Sequence, residues 1–386
     1  MPGPHMQKLN RELLNRSMKK KKFPPKTIRN ILVIATRRIG DVILTTPLIR
    51  SLRHAYRDAK LDVLVFKGTE SCISANNDID NIIKIMEGAT FREQIKTICT
   101  LFHRYDLAIS TLPGDRPTFY SLIAGKSSIG FVENGYSNLW KRVLLDKYEL
   151  FDNRETHTVT MNLSLLKLLD VRQIPEVTIS WAGEDELKVN KLLPFDMDKE
   201  PYAVLHVYPM FSYKMWHDAG WADLIRWLNA KGLRTVITGS NSQDEREYIS
   251  HLCQSLPGDS INAAGTLSLS GVAYLLSKAS VYIGLDTAVT HMASALGIPT
   301  VALYGPTNPV KWGPMPKEVS FSGKSPYKRK GSQKMGNVFL LQGKGECVPC
   351  HEEGCDRNIA SLSRCLQDIP SADVIEAVET MMTQNS

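Results

Sequence analysis

The chain alternates short, almost wholly apolar runs with longer stretches in which apolar residues return every three or four positions. The first kind of run predicts buried strands and the second predicts amphipathic helices. Residues 31–35 (ILVIA) form the first strand, followed by a turn and a helix over 42–52. Further strands are predicted at 61–66, 107–110 and 128–131, with helices over 91–102, 118–124 and 157–169. Residues 173–201 are rich in Pro, Asp and Glu and weakly periodic, as an inter-domain crossing would be. A second series then begins: strands at 203–207, 235–238, 281–284 and 300–304, with helices at 221–229, 245–254 and 287–296, and a final helix over 372–382.

Strands alternating with helices imply parallel sheets covered on both faces. The expected fold is therefore α/β, with two Rossmann-like doubly wound domains facing a central cleft. The expected division is a tail over 1–27, one domain over 28–190 and a second over 191–386. Ligands of such sheets bind outside the C-terminal strand ends, where the topology reverses. The polar, basic stretch 325–334 reads as an exposed loop ahead of a cysteine-rich segment.

At 386 residues the length agrees with two domains, and 43% hydrophobic residues can fill two cores. No apolar run reaches the roughly 20 residues of a membrane-spanning helix, and the N-terminus lacks the apolar core of a signal peptide, so a cytoplasmic location is expected. The formal net charge of +7 is unevenly placed: residues 1–30 hold nine Lys and Arg against Glu12 alone, leaving the rest of the chain near neutral. Met1–His5 read as a cloning remnant. Leu9, Leu13, Leu14 and Met18 recur among the cations, as in a helix lying on an anionic membrane surface. The alternative is a solvated tail. Nucleic acid as a partner is disfavoured, since the charge is not spread over a domain face.

Familiar motifs fail on inspection. Gly125-Lys126-Ser127 lacks the earlier glycine of a phosphate loop, where Tyr120 stands, and no G-x-G-x-x-G follows a strand. Two stretches do carry chemistry. In Arg37-Arg38-Ile39-Gly40-Asp41, a strand gives way to a helix, and Asp41 is placed both to cap that helix and to take a proton in the cleft. In Gly284-Leu285-Asp286-Thr287-Ala288-Val289-Thr290-His291, Asp286 sits at a strand end. The helix after it aims free N–H groups at the cleft from Thr287 onward, as an anion site does, with His291 one turn along.

Together these residues resemble the lipopolysaccharide heptosyltransferases, glycosyltransferases of family 9 with the two-domain GT-B architecture. The resemblance runs from Ile31 nearly to the C-terminus. It rests on Gly40-Asp41 with Thr46-Pro47, on Lys214-Met215-Trp216, on Gly284 to Thr287 with His291, and on Leu303-Tyr304-Gly305-Pro306-Thr307. It implies transfer of heptose from an ADP-activated donor to a hydroxyl of the lipopolysaccharide inner core, with inversion and without a catalytic cofactor. Asp41 matches the family's base, and Lys214 a lysine that contacts the donor and offsets charge on the leaving diphosphate. Gly40, Ser212, Glu245, Asp286, Thr287, Ala288 and His291 match its donor-binding positions. The enzyme would work at the inner face of the membrane as a peripheral protein. Ala288 stands where the family commonly has glycine, and Val207-Tyr208-Pro209 follow His206 where Pro-Gly is usual. A different sugar nucleotide, a protein acceptor, or a binding protein without turnover are the alternatives.

Four of the seven cysteines, Cys347, Cys350, Cys355 and Cys365, lie within 19 residues. A C-x-x-C pair with two later cysteines has the donor set for structural Zn or Fe. Reduced thiols packed under the last helix are the other reading.

Overall fold

The structure is a computed structural model that describes residues 23–24, 27–254, 260–318 and 323–383. The amphipathic helix expected around Leu9–Met18 lies outside the described residues. In the first half, strands β1 (Asn30–Ile34), β2 (Lys60–Phe66), β3 (Asn81–Ile85), β4 (Tyr105–Ser110), β5 (Gly125–Val132) and β6 (Lys147–Leu150) form a parallel sheet of order β3-β2-β1-β4-β5-β6. In the second half, β7 (Tyr202–His206), β8 (Arg234–Thr238), β9 (Ser260–Asn262), β10 (Val281–Leu285), β11 (Thr300–Tyr304), β12 (Gln333–Met335) and β13 (Val338–Gln342) form a sheet of order β12-β13-β11-β10-β7-β8-β9. Among the described strands only β12 runs antiparallel, as a short hairpin with β13.

Apart from that hairpin, both sheets follow the same doubly wound order. Each reverses its winding beside its first strand, between β1 and β4 and between β7 and β10. These two switch points are where ligands are expected. The central strands are continuous apolar runs because helices cover both faces; Leu32, Val33, Ile34, Val204, Leu205 and Ile283 are fully buried. One core cluster contains residues of both halves, including Val42, Ile43, Val289 and Met292.

The expected helix over 42–52 is two helices, Ile39–Ile43 and Thr46–Ala55. Pro47 explains the break: its ring is compatible only with the first turn of a helix, so a new helix starts there. The reading of Asp41 as a cap is thereby corrected. The first helix begins three residues earlier, Arg38 holds the N-cap position, and Asp41 lies in the first turn, its carboxylate interacting with the Arg38 backbone. Helix 157–169 is also shorter, Thr158–Ser164, and passes into a 3-10 turn over Leu165–Leu169. The stretch 325–334 is not all loop, since Gln333 and Lys334 join β12. No described helix is long and apolar enough to cross a membrane.

Candidate active site

The residues after β1 and β10 meet across the junction of the two halves. The Ile39–Ile43 helix packs on Ala288–Leu296, and a Cβ built on Gly40 would touch His291 Cδ2 at 3.4 Å. The sequence therefore brings Gly40, Asp41 and His291 from opposite ends of the chain to one place.

Asp41 is paired with Arg37 at 3.3 Å, one helical turn before it. Burial pushes its carboxyl above the ordinary value of 3.8, and Arg37, Arg38 and Lys311 pull it back only in part. Asp41 borders a cavity of about 20 Å³ shared with Arg37, Thr45, Thr111, Lys311 and Trp312. That is room for a water and far less than a sugar ring. The Asp41 side chain nevertheless keeps about 15% of its surface exposed, so the carboxylate is not sealed off.

Lys311 was not anticipated, because an isolated lysine in a turn normally points to solvent. Here it is buried, donating to the Asp152 carbonyl at 2.7 Å, with Nζ 4.6 Å from the Phe151 ring centroid. Burial lowers its ammonium to about 8, opposed by Asp152 and Asp41 and reinforced by Arg37. The two arginines before Gly40 were visible in the motif but not assigned. Arg38 lies over the Phe211 ring at 4.5 Å, so it too spans the two halves.

In the second half, Lys214 closes the 3-10 turn Ser212–Lys214 after β7, and its Nζ meets Asp286 Oδ2 at 2.5 Å. Thr307 donates to the same oxygen at 2.7 Å. Burial alone would raise the Asp286 carboxyl; the charge and hydrogen bond of Lys214, the bond from Thr307 and the nearby His291 outweigh it and hold the group below its ordinary value. Thr307 lies in a stretch the sequence singled out, but without a role. Ser212 is half-buried at the start of the same turn.

Thr287 is the N-cap of the Ala288–Leu296 helix, and both Thr287 and Ala288 remain half-exposed. That first turn follows directly on the C-terminal end of β10, the placement an anion site requires. His291 is buried, and its Nδ1 has no hydrogen-bond partner among the described residues. Burial lowers the ring to about 4, against the pull of Asp286, so the imidazole is neutral at pH 7. An uncharged ring with an open nitrogen can donate to or accept from a bound ligand. Glu245 lies one strand further out, buried after β8, where Ser240 Oγ donates to its Oε2. It raises the titration of His206, which burial lowers more strongly.

The cysteines expected either to hold structural Zn or Fe or to pack as reduced thiols come together after β13. Among the described residues no group of three or more His, Cys, Asp and Glu side chains is placed to hold a metal ion. All four thiols are free, with Cys347 and Cys355 exposed. They share a neighbourhood, since Cys365 is pushed up to about 12 by burial and then by Cys350, Cys355 and Cys347. Cys355 Sγ accepts from the Arg364 N–H at 3.4 Å, and Cys365 packs below Gly305.

Comparison with known proteins places this geometry. The family model for glycosyltransferase family 9 (heptosyltransferase) matches residues 104–341, and the chain belongs to that family. It is a GT-B glycosyltransferase. It is 26% identical over 361 residues to lipopolysaccharide heptosyltransferase 3 of Escherichia coli K12, covering 90% of this chain and 96% of that protein. The solved E. coli ADP-heptose lps heptosyltransferase II superposes with a TM-score of 0.70 at 20% identity, covering 92% of this chain and 99% of that one. The iron-containing dodecameric glycosyltransferase TibC of enterotoxigenic E. coli superposes with a TM-score of 0.55 at 14% identity, covering 94% and 78%.

Proposed function

We propose that this chain transfers heptose from ADP-heptose to a hydroxyl of the lipopolysaccharide inner core, inverting the anomeric carbon. The observation that carries the reading is the pairing of two unlike carboxylate sites at the two switch points. Asp41 is a half-buried carboxylate with raised proton affinity on one side, and the Lys214–Asp286–Thr307 group lies beside a helix N-terminus on the other. The family and the named relatives supply the donor and acceptor classes.

In this scheme the acceptor hydroxyl oxygen bonds to the anomeric carbon as the bond from that carbon to the ADP oxygen breaks. Asp41 takes the hydroxyl proton, and ADP departs with the bonding pair as an anion. A sugar hydroxyl is a weak nucleophile at neutral pH, so a base with raised affinity for protons helps. Lys214 and the N–H groups after Thr287 stabilise charge on the leaving diphosphate. Asp286 orients Lys214 and accepts hydrogen bonds from the sugar; Ser212, Ala288 and His291 line the same pocket, and Glu245 takes the ribose. Closure of the halves expels water that would otherwise hydrolyse the donor. The basic N-terminal tail brings the enzyme to the inner face of the membrane that carries the acceptor.

The test is calorimetric titration with ADP-heptose, ADP-glucose, UDP-glucose and GDP-mannose, each with and without delipidated lipopolysaccharide core. Selective binding of ADP-heptose, with β-to-α or α-to-β inversion in a product formed only with core present, is the expected result. Tighter binding of another nucleotide sugar would overturn the donor assignment.

A further inference from the structure

The short helix Leu139–Leu144, with the 3-10 turn Tyr136–Asn138 before it, is amphipathic in the reverse sense. Its inward face is formed by Asn138, Lys141 and Leu145, all buried. Lys141 is only 2% exposed and its Nζ pairs with Asp115 Oδ1 at 2.7 Å. Its outward face presents Tyr136 at 99% exposure, Leu139 at 57%, Val143 at 72% and Leu144 at 55%. At 100° per residue Leu139, Val143 and Leu144 lie on the side away from Lys141, and Tyr136 stands exposed in the turn before them. A surface helix ordinarily buries its apolar stripe and exposes its cations. This one is anchored by a lysine and turns its aliphatic side chains outward, which marks an interaction surface.

The chain itself indicates what covers it. Three residues after Leu144, a span of about 10 Å at most, Lys147 Nζ stands 4.8 Å from the ring centroid of Phe23 and donates to the Leu168 carbonyl. Phe23 is where the basic tail joins the folded body. Before it stand Lys8, Arg11, Arg16 and the run Lys19-Lys20-Lys21-Lys22, against Glu12 alone. The cationic segment thus precedes, in sequence, a residue that touches Lys147, three positions from an exposed Tyr, Leu and Val surface. That combination fits one partner: a bilayer with anionic headgroups, whose phosphates meet the lysines and whose interface takes the aliphatic and tyrosine side chains. A protein groove would match the apolar face but leaves the adjacent charge without a counterpart.

We propose that the outward face of Leu139–Leu144, with Tyr136, is a membrane-docking surface that inserts into anionic lipid beside the basic tail. Each element alone gives weak, reversible attachment, and the two together give stable binding. The docking surface lies on the half that carries Asp41, so it would hold the acceptor-side half at the membrane. It rests on the proposed lipid-borne acceptor only for its purpose; the docking itself is measured separately.

The experiment is co-sedimentation of the full chain with vesicles of phosphatidylcholine alone and of phosphatidylcholine mixed with phosphatidylglycerol, at low and high salt. The chain with Val143→Asp and Leu144→Asp together should bind the anionic vesicles about tenfold or more weakly at both salt concentrations, because two buried apolar side chains are worth at least that factor. Deleting residues 6–22 should weaken binding at low salt and much less at high salt, where the charges are screened. Both variants keep wild-type transfer to delipidated core, which separates a failure of docking from a failure of the acceptor assignment. Unchanged vesicle binding by the double aspartate variant overturns the proposal. So does a wild-type dimer that the same variant converts to monomer, since the face would then meet a second copy of the chain.

Discussion

Asp41 and Asp286 occupy equivalent places, each after a strand at the switch point of its sheet, and their surroundings differ in kind. Asp286 has a cation at 2.5 Å and a hydroxyl at 2.7 Å on one oxygen, and its carboxyl is held below the ordinary range. Asp41 has a longer ion pairing, at 3.3 Å, to an arginine whose side chain is well exposed, with a further contact to the Arg38 backbone, and burial keeps its carboxyl above that range. The same residue type at the same topological position is thus locked as an anion in one half and kept ready to gain a proton in the other. The difference lies in what the neighbouring loops supply, not in the strands.

The sharpest break in the comparison is Asp41→Ala. Transfer should fall by about 10²–10⁴-fold while ADP affinity, read by calorimetry, changes less than about twofold, since the donor pocket belongs to the other half. Near-normal turnover would remove Asp41 as base. Lys214→Ala should leave Asp286 buried without its cation, costing about 3 kcal/mol of stability in urea unfolding, and should weaken ADP binding by about tenfold or more. The same loss should follow acidification. The depressed Asp286 contributes stability at pH values above its unfolded pKa, and that contribution disappears as pH falls through its lower folded value.

Lys311→Met should leave Asp41 without a buried cation, so the acid limb of the kcat/KM profile should move up by about one pH unit. Lys311→Arg should restore it, a recovery that lost packing alone would not produce. The smallest effect is also the most diagnostic. Because the Asp41 carboxyl binds its proton more tightly folded than unfolded, stability falls as pH rises from the unfolded toward the folded value, and the charged form is a burden above it. Asp41→Asn should therefore raise Tm at pH 8 by about 1–2 °C while abolishing transfer. A lowered Tm would mean that Arg37 compensates the buried charge more fully than its 3.3 Å separation suggests.

The sheet centres were legible in the sequence because four or five consecutive apolar residues leave few alternatives to a buried strand. β1, β7, β10 and β11 lie within one residue of expectation. The edges were not. β3, β6 and β9 carry half-exposed or polar residues, and their pairing is decided by a neighbour rather than by their own pattern. Helix Leu269–Ser277 escaped for the opposite reason: buried along nearly its whole length, it has no polar face to give it a period. Helix Gly183–Leu192, hidden in the Pro- and acid-rich crossing, was missed because its apolar face is short. In the site, the motifs located Asp41, Asp286 and His291. They gave no sign of Lys311, whose importance comes from a partner carbonyl at Asp152, far away in sequence. The cysteine spacing pointed to a cluster, and the structure does bring Cys365 near Cys347, Cys350 and Cys355.

The junction between the halves carries one more consequence. Lys311 donates to the Asp152 carbonyl, Asn308 to Arg154, Thr158 to Lys311, His157 Nε2 pairs with the Gly313 carbonyl, and the His157 N–H donates to Lys324. In every case the acceptor is main chain, so each carbonyl stays in place whatever side chain its residue carries, and the hydrogen-bonded part of the seam is written in four donors, His157, Thr158, Asn308 and Lys311. The joint behaves as a latch whose catches lie on few side chains, while the apolar packing of Val42 and Ile43 on Val289 and Met292 forms its bearing surface.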